Sequence, residues 1–240
     1  MSDDRLSEVD AVVDGEVGIV TIRRPPHNFL DADLVADLVD ALRNLEGAVG
    51  AVVLRSEGRN FCAGADVTKR TSSTYSKAGR HLYDHALDLY AQPVPVVAAV
   101  QGKAVGGGLG VALTADLRVG NERTTFLANF AALGIHPGFA ISVVLPHVVG
   151  SGHAADMLLT SRPVSGEEAL RFGLLDRLVE DDDPFPAALE LARQIAAAPA
   201  SATLSVRATL RARFDQALAP ALAHERAEQE RLIALNMPSS

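Results

Sequence analysis

The sequence predicts an α/β protein whose last part is helical. Short β-branched runs alternate with helical patterns through residues 1–180, which is typical of an α/β core. Residues 181–240 are rich in alanine and show helical patterns alone, which predicts a helical C-terminal subdomain. The chain of 240 residues is 48% hydrophobic and 22% charged, and this composition excludes disordered, collagen-like and coiled-coil proteins.

A β-hairpin and an amphipathic helix are the first elements that the sequence predicts. The β-branched runs Val9–Val13 and Val17–Ile22 flank Asp14-Gly15, a dipeptide that favours a tight turn between two strands. Leucines then recur every three or four residues over Leu30–Leu45, which gives a helix one apolar face. Ala51–Leu54 follows as a short apolar strand.

The remaining elements alternate in the same way before the chain becomes helical. The first group predicted is a helix, a strand, a helix and a strand: Tyr75–Tyr90, Pro95–Val100, Gly108–Thr114 and Leu117–Val119. The second group consists of helices alone: Gly166–Phe172, Ala187–Ala198, Ala202–Phe214 and Leu222–Leu235. The first of these helices lies in the predicted core, and the last three make up the predicted subdomain.

Charge, cysteine content and hydropathy exclude several classes of function. The net charge of −8, from 22 Lys+Arg against 30 Asp+Glu, argues against nucleic-acid binding, because no basic excess can displace counterions from phosphates. Cys62 is the single cysteine, so an internal disulfide and a multi-cysteine metal site are excluded. The polar N-terminus has no apolar signal segment, and no apolar run reaches the roughly 18 residues of a membrane span. We therefore expect a cytoplasmic protein without membrane contact.

Two glycine-containing stretches, Phe61–Asp66 and Gly102–Gly110, are candidates for ligand binding. The triplet Gly106–Gly108 stands between a predicted strand and a predicted helix, where glycines permit positive φ angles and close approach of the backbone to a ligand. The N–H groups that begin the helix favour an anion. Taken alone, each stretch is equally a tight turn. Nucleotide binding is disfavoured, because the Lys-Ser/Thr of a P-loop and the spacing of a dinucleotide fingerprint are both missing.

Taken together, these motifs resemble the crotonase (enoyl-CoA hydratase/isomerase) superfamily. The resemblance rests on Phe61–Asp66, Pro95–Val100 and Gly102–Gly110, and it extends to Leu133–Gly138 and to Glu167–Leu175. It implies a crotonase-like ββα spiral core, a CoA thioester as ligand, no prosthetic group, and homotrimers or hexamers formed through the helical subdomain. Many relatives continue into a further helix where this chain ends, so some nucleotide contacts are expected from a neighbouring subunit or are absent.

The resemblance also implies which residues hold the thioester. The backbone N–H groups of Ala65 and Gly107 would bind its oxygen, and Ala63, Asp66 and Gly106 would contact the CoA. An enolate next to a thioester puts negative charge on that oxygen, and fixed donors in a dry site stabilise this charge. Asp66 taken alone is equally a cap or turn residue.

Three positions depart from the acid–base pattern of the family. Hydration of an enoyl thioester uses two glutamates, and the resemblance puts them at Gly110 and Phe130, which transfer no protons. Some members place an acid at the position of Gly138 instead. We therefore expect weak or no true hydratase activity.

His136 is the remaining titratable side chain in the loop that ends at Gly138. An unperturbed histidine titrates near neutrality, so His136 is a candidate general base, and equally a hydrogen-bonded structural histidine before a proline. Two hypotheses follow. The protein is an enzyme that stabilises a thioester enolate, or it is a catalytically silent acyl-CoA-binding protein; a decarboxylase or thioester hydrolase that uses His136 is a further alternative.

His81 and His85 are four residues apart and are predicted to share one helix face. Two such histidines can bind a metal, but neither a glutamate between them nor a third ligand accompanies them. We therefore predict no metal site. Taken alone, the two histidines indicate a solvated helix face or a face toward a pocket. The resemblance implies that this helix borders the acyl pocket, with Tyr83 on it.

Overall fold

A six-stranded sheet forms the centre of the fold in the computed structural model, which describes residues 8–66 and 74–236. Its strands in spatial order are β1 (Val9–Asp14), β2 (Val17–Ile22), β3 (Ala51–Ser56), β4 (Val96–Val100), β6 (Leu117–Asn121) and β9 (Arg177–Val179). β1 and β2 form the antiparallel hairpin predicted around Asp14-Gly15, and every later neighbour in the sheet is parallel. Parallel neighbours need crossover connections, and helices supply most of them here.

A second, three-stranded sheet stands beside the glycine triplet. It consists of β5 (Lys103–Val105), β7 (Thr125–Leu127) and β8 (Pro163–Ser165), in that order. β5 runs parallel to β7, and β7 runs antiparallel to β8. Each strand has three residues, which is too short for an alternating pattern to show in the sequence, and none of them was among the predicted elements.

Seven helices surround the sheets in the described part of the chain. They are α1 (Ala32–Asn44), α2 (Leu82–Tyr90), α3 (Gly107–Thr114), α4 (Ile141–Thr160), α5 (Gly166–Phe172), α6 (Phe185–Ala196) and α7 (Ala200–Asn236). The predictions of α1, α3 and α5 are confirmed, since the predicted and observed ends of each helix agree to within two residues. No helix among residues 8–66 and 74–236 is both long enough and apolar enough to cross a membrane.

The predicted helix over Tyr75–Tyr90 is wrong in its first half. α2 begins only at Leu82, after a turn in which Gly79 has a φ of 78°. His81 stops the helix from extending further back, because its backbone is extended and its ring Nδ1 accepts a hydrogen bond from the Tyr83 N–H at 3.1 Å. An N-cap of this kind sets the first residue of a helix.

The two separate helices predicted over Ala202–Phe214 and Leu222–Leu235 are also wrong, since α7 is continuous from Ala200 to Asn236. It runs through Pro220, which removes one backbone hydrogen bond. Buried residues lie on both sides of this proline, and α7 packs on α4 and α2. We attribute the continuity to this packing, which offsets the lost bond.

Side chains of the six-stranded sheet point into two different cores. Val52 and Leu54 of β3 face the larger core, which lies under α1, α3 and α4. Ala51 and Val53 face the smaller core, which α6 covers with Ala188, Leu191 and Ala192. This alternation follows from the period of two in a strand. α6 thus covers one face of the sheet, while the opposite face carries the elements that build the cavity described next.

Candidate active site

A cavity of about 260 Å³ lies between the two glycine motifs, α2 and the end of α7. Its lining combines glycine-rich backbone with apolar and aromatic side chains and a few polar ones: Leu30, Asp31, Ala63, Gly64, Ala65, Thr74, Leu82, Tyr83, Val105, Gly106, Gly107, Asn129, Phe130, Leu133, Ile135, Gly138, Phe139, Gln229 and Ile233. A concave, mostly apolar site with a few polar groups is the usual form of a small-ligand site.

The two glycine motifs contact each other at one end of this cavity. A Cβ atom placed on Gly64 would lie 2.6 Å from the Val105 carbonyl oxygen and 3.6 Å from the Gly107 nitrogen. An isolated parallel β-bridge between Cys62 and Ala104 holds the two motifs side by side. Ala65 and Gly107 both line this cavity, and their role in binding a thioester oxygen stays a prediction.

The N-cap of α3 provides no side-chain acceptor for the first backbone N–H groups of the helix. Gly106 is the N-cap, with a φ of 52° and a ψ of −118° that only glycine adopts readily, and it makes no side-chain capping bond. Gly108 lies so close to the first motif that an added Cβ would be 2.0 Å from the Cys62 carbonyl oxygen. The first N–H groups of a helix have no partner inside it, and the helix dipole makes this end positive. An oxygen with negative charge is the ligand that this end favours.

Aromatic rings fill the space around the three positions where the resemblance expects acids. A Cβ on Gly110 would lie 2.7 Å from the Phe139 side chain, and a Cβ on Gly138 would lie 1.9 Å from the Tyr83 hydroxyl oxygen. Phe130 itself lines the cavity. A side chain at Gly110 or Gly138 would have to displace a packed ring, and at position 130 a ring stands in place of the acid.

Comparison with known proteins decides the family. The profile of the enoyl-CoA hydratase/isomerase family matches residues 13–236. This chain belongs to that family. The crystal structure of an enoyl-CoA hydratase/isomerase from Pseudoalteromonas atlantica T6c superposes with a TM-score of 0.87 at 28% identity, over 95% of this chain and 92% of that one. The predicted resemblance and the crotonase fold are thereby confirmed.

Relatives of this family member carry names for more than one reaction. The Mycobacterium tuberculosis protein named "Probable enoyl-CoA hydratase EchA14" is 38% identical over 206 residues, which are 83% of this chain and 80% of that protein. The Arthrobacter protein named 4-chlorobenzoyl coenzyme A dehalogenase-2 is 39% identical over 194 residues, which are 76% of this chain and 70% of that protein. Family membership therefore leaves the reaction of this chain open.

Two of the three residues expected to contact CoA line the cavity, and the third does not. Ala63 and Gly106 line the cavity, and the Ala63 N–H donates to the His27 carbonyl oxygen at 2.9 Å. Asp66 is buried and lies outside the lining. Among the described residues of the lining, Asp31 is the one that carries a carboxylate. This carboxylate accepts a hydrogen bond from the Leu34 N–H at 2.8 Å and forms an ion pair with Arg24 at 2.8 Å.

His136 lies beside the cavity rather than in its lining. Its ring Nδ1 is 2.8 Å from the Pro137 carbonyl oxygen, and the ring packs edge-on against His224 of α7 with centroids 5.6 Å apart. Its neighbours Leu133, Ile135, Gly138 and Phe139 contribute to the lining, and His136 does not. The catalytic role of His136 stays a prediction.

The contribution of α7 to the site was not predicted from the sequence. Gln229 and Ile233 line the cavity, and the Tyr83 hydroxyl donates to Gln229 Oε1 at 2.7 Å. One turn earlier, Glu225 is 0% exposed. A signal was present, because Glu225 follows Leu222 by three residues on the buried stripe of the helix, where a glutamate is unexpected without partners.

Glu225 holds the start of α4. One carboxylate oxygen accepts the Ala140 N–H at 2.8 Å, and the other accepts the N–H and the hydroxyl of Ser142 at 3.0 and 2.6 Å. Burial raises the pKa of Glu225 above its ordinary value, and these three hydrogen bonds oppose the rise. Phe139 and Ala140, which precede the helix, have φ angles of 63° and 58°. Such angles are strained for residues other than glycine, so the carboxylate stabilises a strained turn that carries a cavity ring.

The two histidines of α2 have separate structural roles. His81 caps the helix, while His85 is buried with its Nε2 atom 3.0 Å from the Ser76 hydroxyl. Burial lowers the pKa of both rings below the ordinary value. No cluster of three or more potential metal ligands occurs within the described ranges.

Replacement of His81 by asparagine should remove a pH dependence of stability. The neutral ring accepts the Tyr83 N–H, and a protonated ring cannot. Because burial lowers the pKa of His81, its capping contribution is present above the ordinary histidine pKa of about 6.5 and is lost as pH falls through the lower folded value. Asparagine caps at every pH.

Urea unfolding between about pH 5 and about pH 8 measures this effect. Relative to His81→Asn, the wild type should lose about 1 kcal/mol at the acidic end, which is the typical value of an N-cap. His85 titrates in both proteins and cancels in the comparison. Parallel pH profiles for the two proteins would show that the ring does not act as the cap.

Proposed function

We propose that this protein binds an acyl-CoA thioester and stabilises its enolate, with the thioester oxygen on the N–H groups of Ala65 and Gly107. The observation that carries the proposal is the contact between the two glycine motifs at the start of α3, where the N-cap Gly106 offers no side-chain acceptor and both residues line the cavity. Family membership and the CoA compounds named for relatives support the same ligand class.

The geometry suits the charge that enolate formation creates. When a proton or another group leaves the carbon next to a thioester, negative charge develops on the thioester oxygen. Two fixed N–H donors and the positive end of a helix stabilise that charge without reorganising, and a single such donor contributes about 3 kcal/mol to the transition state. The apolar lining keeps water away, which strengthens each interaction.

The remaining contacts and the assembly extend this proposal. We propose that the CoA moiety runs along Ala63, Gly106 and Asp66, and that the helical part, residues 181–240, forms the contacts of a homotrimer or hexamer in the cytoplasm. His136 stays the candidate base of this reaction.

A catalytically silent acyl-CoA binder is the second candidate. The packing of Phe139 over Gly110, of Tyr83 over Gly138, and the presence of Phe130 favour it, because these rings occupy the positions expected for acids. The two candidates share the binding site and differ in turnover.

Replacement of Gly107 by valine should weaken binding of butyryl-CoA by at least about 10-fold, because a shift of the N–H group away from the thioester oxygen removes a strong hydrogen bond. The new Cβ would lie 2.6 Å from the Leu30 side chain, so residue 107 or Leu30 would have to move within the cavity lining. Isothermal titration calorimetry measures the affinity, and thermal unfolding checks the fold.

Gly152→Val is the matched control. Gly152 is exposed on α4, and a Cβ there meets no atom within 4 Å. The control should bind butyryl-CoA as the wild type does. Equal affinity of Gly107→Val and the wild type would show that the thioester does not lie against the backbone of residue 107, and this would overturn the proposed binding mode.

A further inference from the structure

Two polar side chains meet at the end of the cavity that α2, α7 and the loop before α4 enclose. Tyr83 is 6% exposed, and its hydroxyl group lies against Gly138 and donates to Gln229 Oε1. Around this pair the lining is apolar, with Leu82, Ile135 and Ile233 among its members. Polar atoms in such surroundings are costly unless a partner satisfies them.

We infer that the acyl group of the ligand carries a neutral hydroxyl group that Tyr83 and Gln229 bind. This inference rests on the proposed function and narrows it to a class of acyl-CoA. It concerns the part of the cavity that α2, α7 and the loop before α4 line.

The hydrogen-bond inventory of the pair matches a hydroxyl group. The Tyr83 phenol has one proton, which it donates to Gln229 at 2.7 Å, so its oxygen can only accept from a ligand. The Gln229 amide has two N–H bonds, and one of them reaches the His136 carbonyl oxygen at 3.3 Å. The second can donate to a ligand. A hydroxyl group both donates and accepts, and therefore uses both atoms.

The charges around the pair disfavour an ionised acyl group. Across the described part of the chain, no Lys, Arg or His side chain contributes to the lining. Burial, and after it the carboxylate of Glu225, raises the pKa of the Tyr83 phenol, so this group stays protonated at neutral pH. An acyl carboxylate would therefore meet no cation from the described part of the lining and would lie near a buried carboxylate, which is unfavourable.

Matched pairs of CoA thioesters test the inference by calorimetry. Each pair consists of an unsubstituted acyl-CoA and its ω-hydroxy form, with chains of four, five and six carbons to cover the depth of the cavity. For at least one chain length, the hydroxylated thioester should bind about 10-fold more tightly, since a site built to bind a hydroxyl group discriminates against the analogue without it. Tyr83→Phe and Gln229→Leu should each reduce this preference to less than about 2-fold.

Tyr75→Phe is the matched control for the loss of a phenol. Tyr75 is 49% exposed and binds Arg226 rather than the cavity, so the preference should persist in this variant. A purely structural role of Tyr83, tying α2 to α7, would lower stability in Tyr83→Phe and leave the hydroxyl preference as it is in the wild type.

The outcomes separate this inference from the proposed function. Equal binding of both members at every chain length, or a preference that survives Tyr83→Phe and Gln229→Leu, overturns the inference and leaves acyl-CoA binding intact. Tighter binding of an ω-carboxyacyl-CoA than of the ω-hydroxyacyl-CoA overturns the inference that the group bound by Tyr83 and Gln229 is neutral. If no thioester binds at all, the proposed function fails and the inference fails with it.

Discussion

Crotonyl-CoA hydration should be at least about four orders of magnitude slower with this protein than with an enoyl-CoA hydratase that carries both glutamates, since each positioned acid or base typically supplies 100-fold or more. The resemblance puts these acids at Gly110 and Phe130, and neither residue transfers a proton. The backbone donors of Ala65 and Gly107 would still polarise the thioester. Polarisation alone does not deliver water to one carbon and a proton to the next.

The packing around these positions removes the simple substitutes. Phe139 occupies the space beside Gly110, so a carboxylate from elsewhere cannot enter there without moving this ring. The carboxylate of Asp31 belongs to the described part of the lining, but it already accepts the Leu34 N–H and pairs with Arg24. Residues 67–73 contain no Asp or Glu in their sequence.

Loss of the ultraviolet absorbance of the conjugated thioester measures the rate, with the glutamate-bearing hydratase run beside it. Calorimetry with crotonyl-CoA provides the control, because it separates slow turnover from absent binding. A turnover rate comparable to that of the hydratase would contradict the expectation. His136 with an ordered water would then be the first group to replace, by alanine.

The backbone part of the site could be predicted because glycines report local geometry. The triplet Gly106–Gly108 stands where the chain adopts a positive φ and approaches Cys62 closely, and both requirements are visible in the sequence as residues without side chains. Individual strands could be predicted in the same way, since β-branched runs such as Val17–Ile22 indicate a strand locally. The order of the strands in the sheet was not predicted.

The side-chain part of the site depends on contacts between distant segments. Gln229 meets Tyr83 across 146 positions of the chain, and no local pattern encodes this distance. The error at Pro220 had the same origin, since tertiary packing of α7 outweighs the local preference of a proline. Glu225 is the exception, because a glutamate on an apolar stripe is a visible signal, although its partners Ala140 and Ser142 are not.

Replacement of Glu225 by alanine should destabilise the protein by about 3 kcal/mol. The change leaves the N–H groups of Ala140 and Ser142 and the Ser142 hydroxyl without their acceptor, and an unsatisfied buried donor costs about 1–3 kcal/mol. It also frees the strained turn at Phe139, so the cavity wall should shift. Chemical denaturation at neutral pH measures the change in the free energy of unfolding.

Glu230→Ala is the control from the same helix, because Glu230 is exposed and pairs with Arg226 at the surface. Its effect should not exceed about 0.5 kcal/mol.

The pH dependence adds a second test with Glu225→Gln. Because burial raises the pKa of Glu225, its titration contributes stability that is complete below the ordinary glutamate pKa of about 4.3 and is lost as pH rises through the higher folded value. The wild type should therefore lose stability relative to Glu225→Gln as pH rises through this window. Equal losses in Glu225→Ala and Glu230→Ala would show that the start of α4 does not depend on this carboxylate.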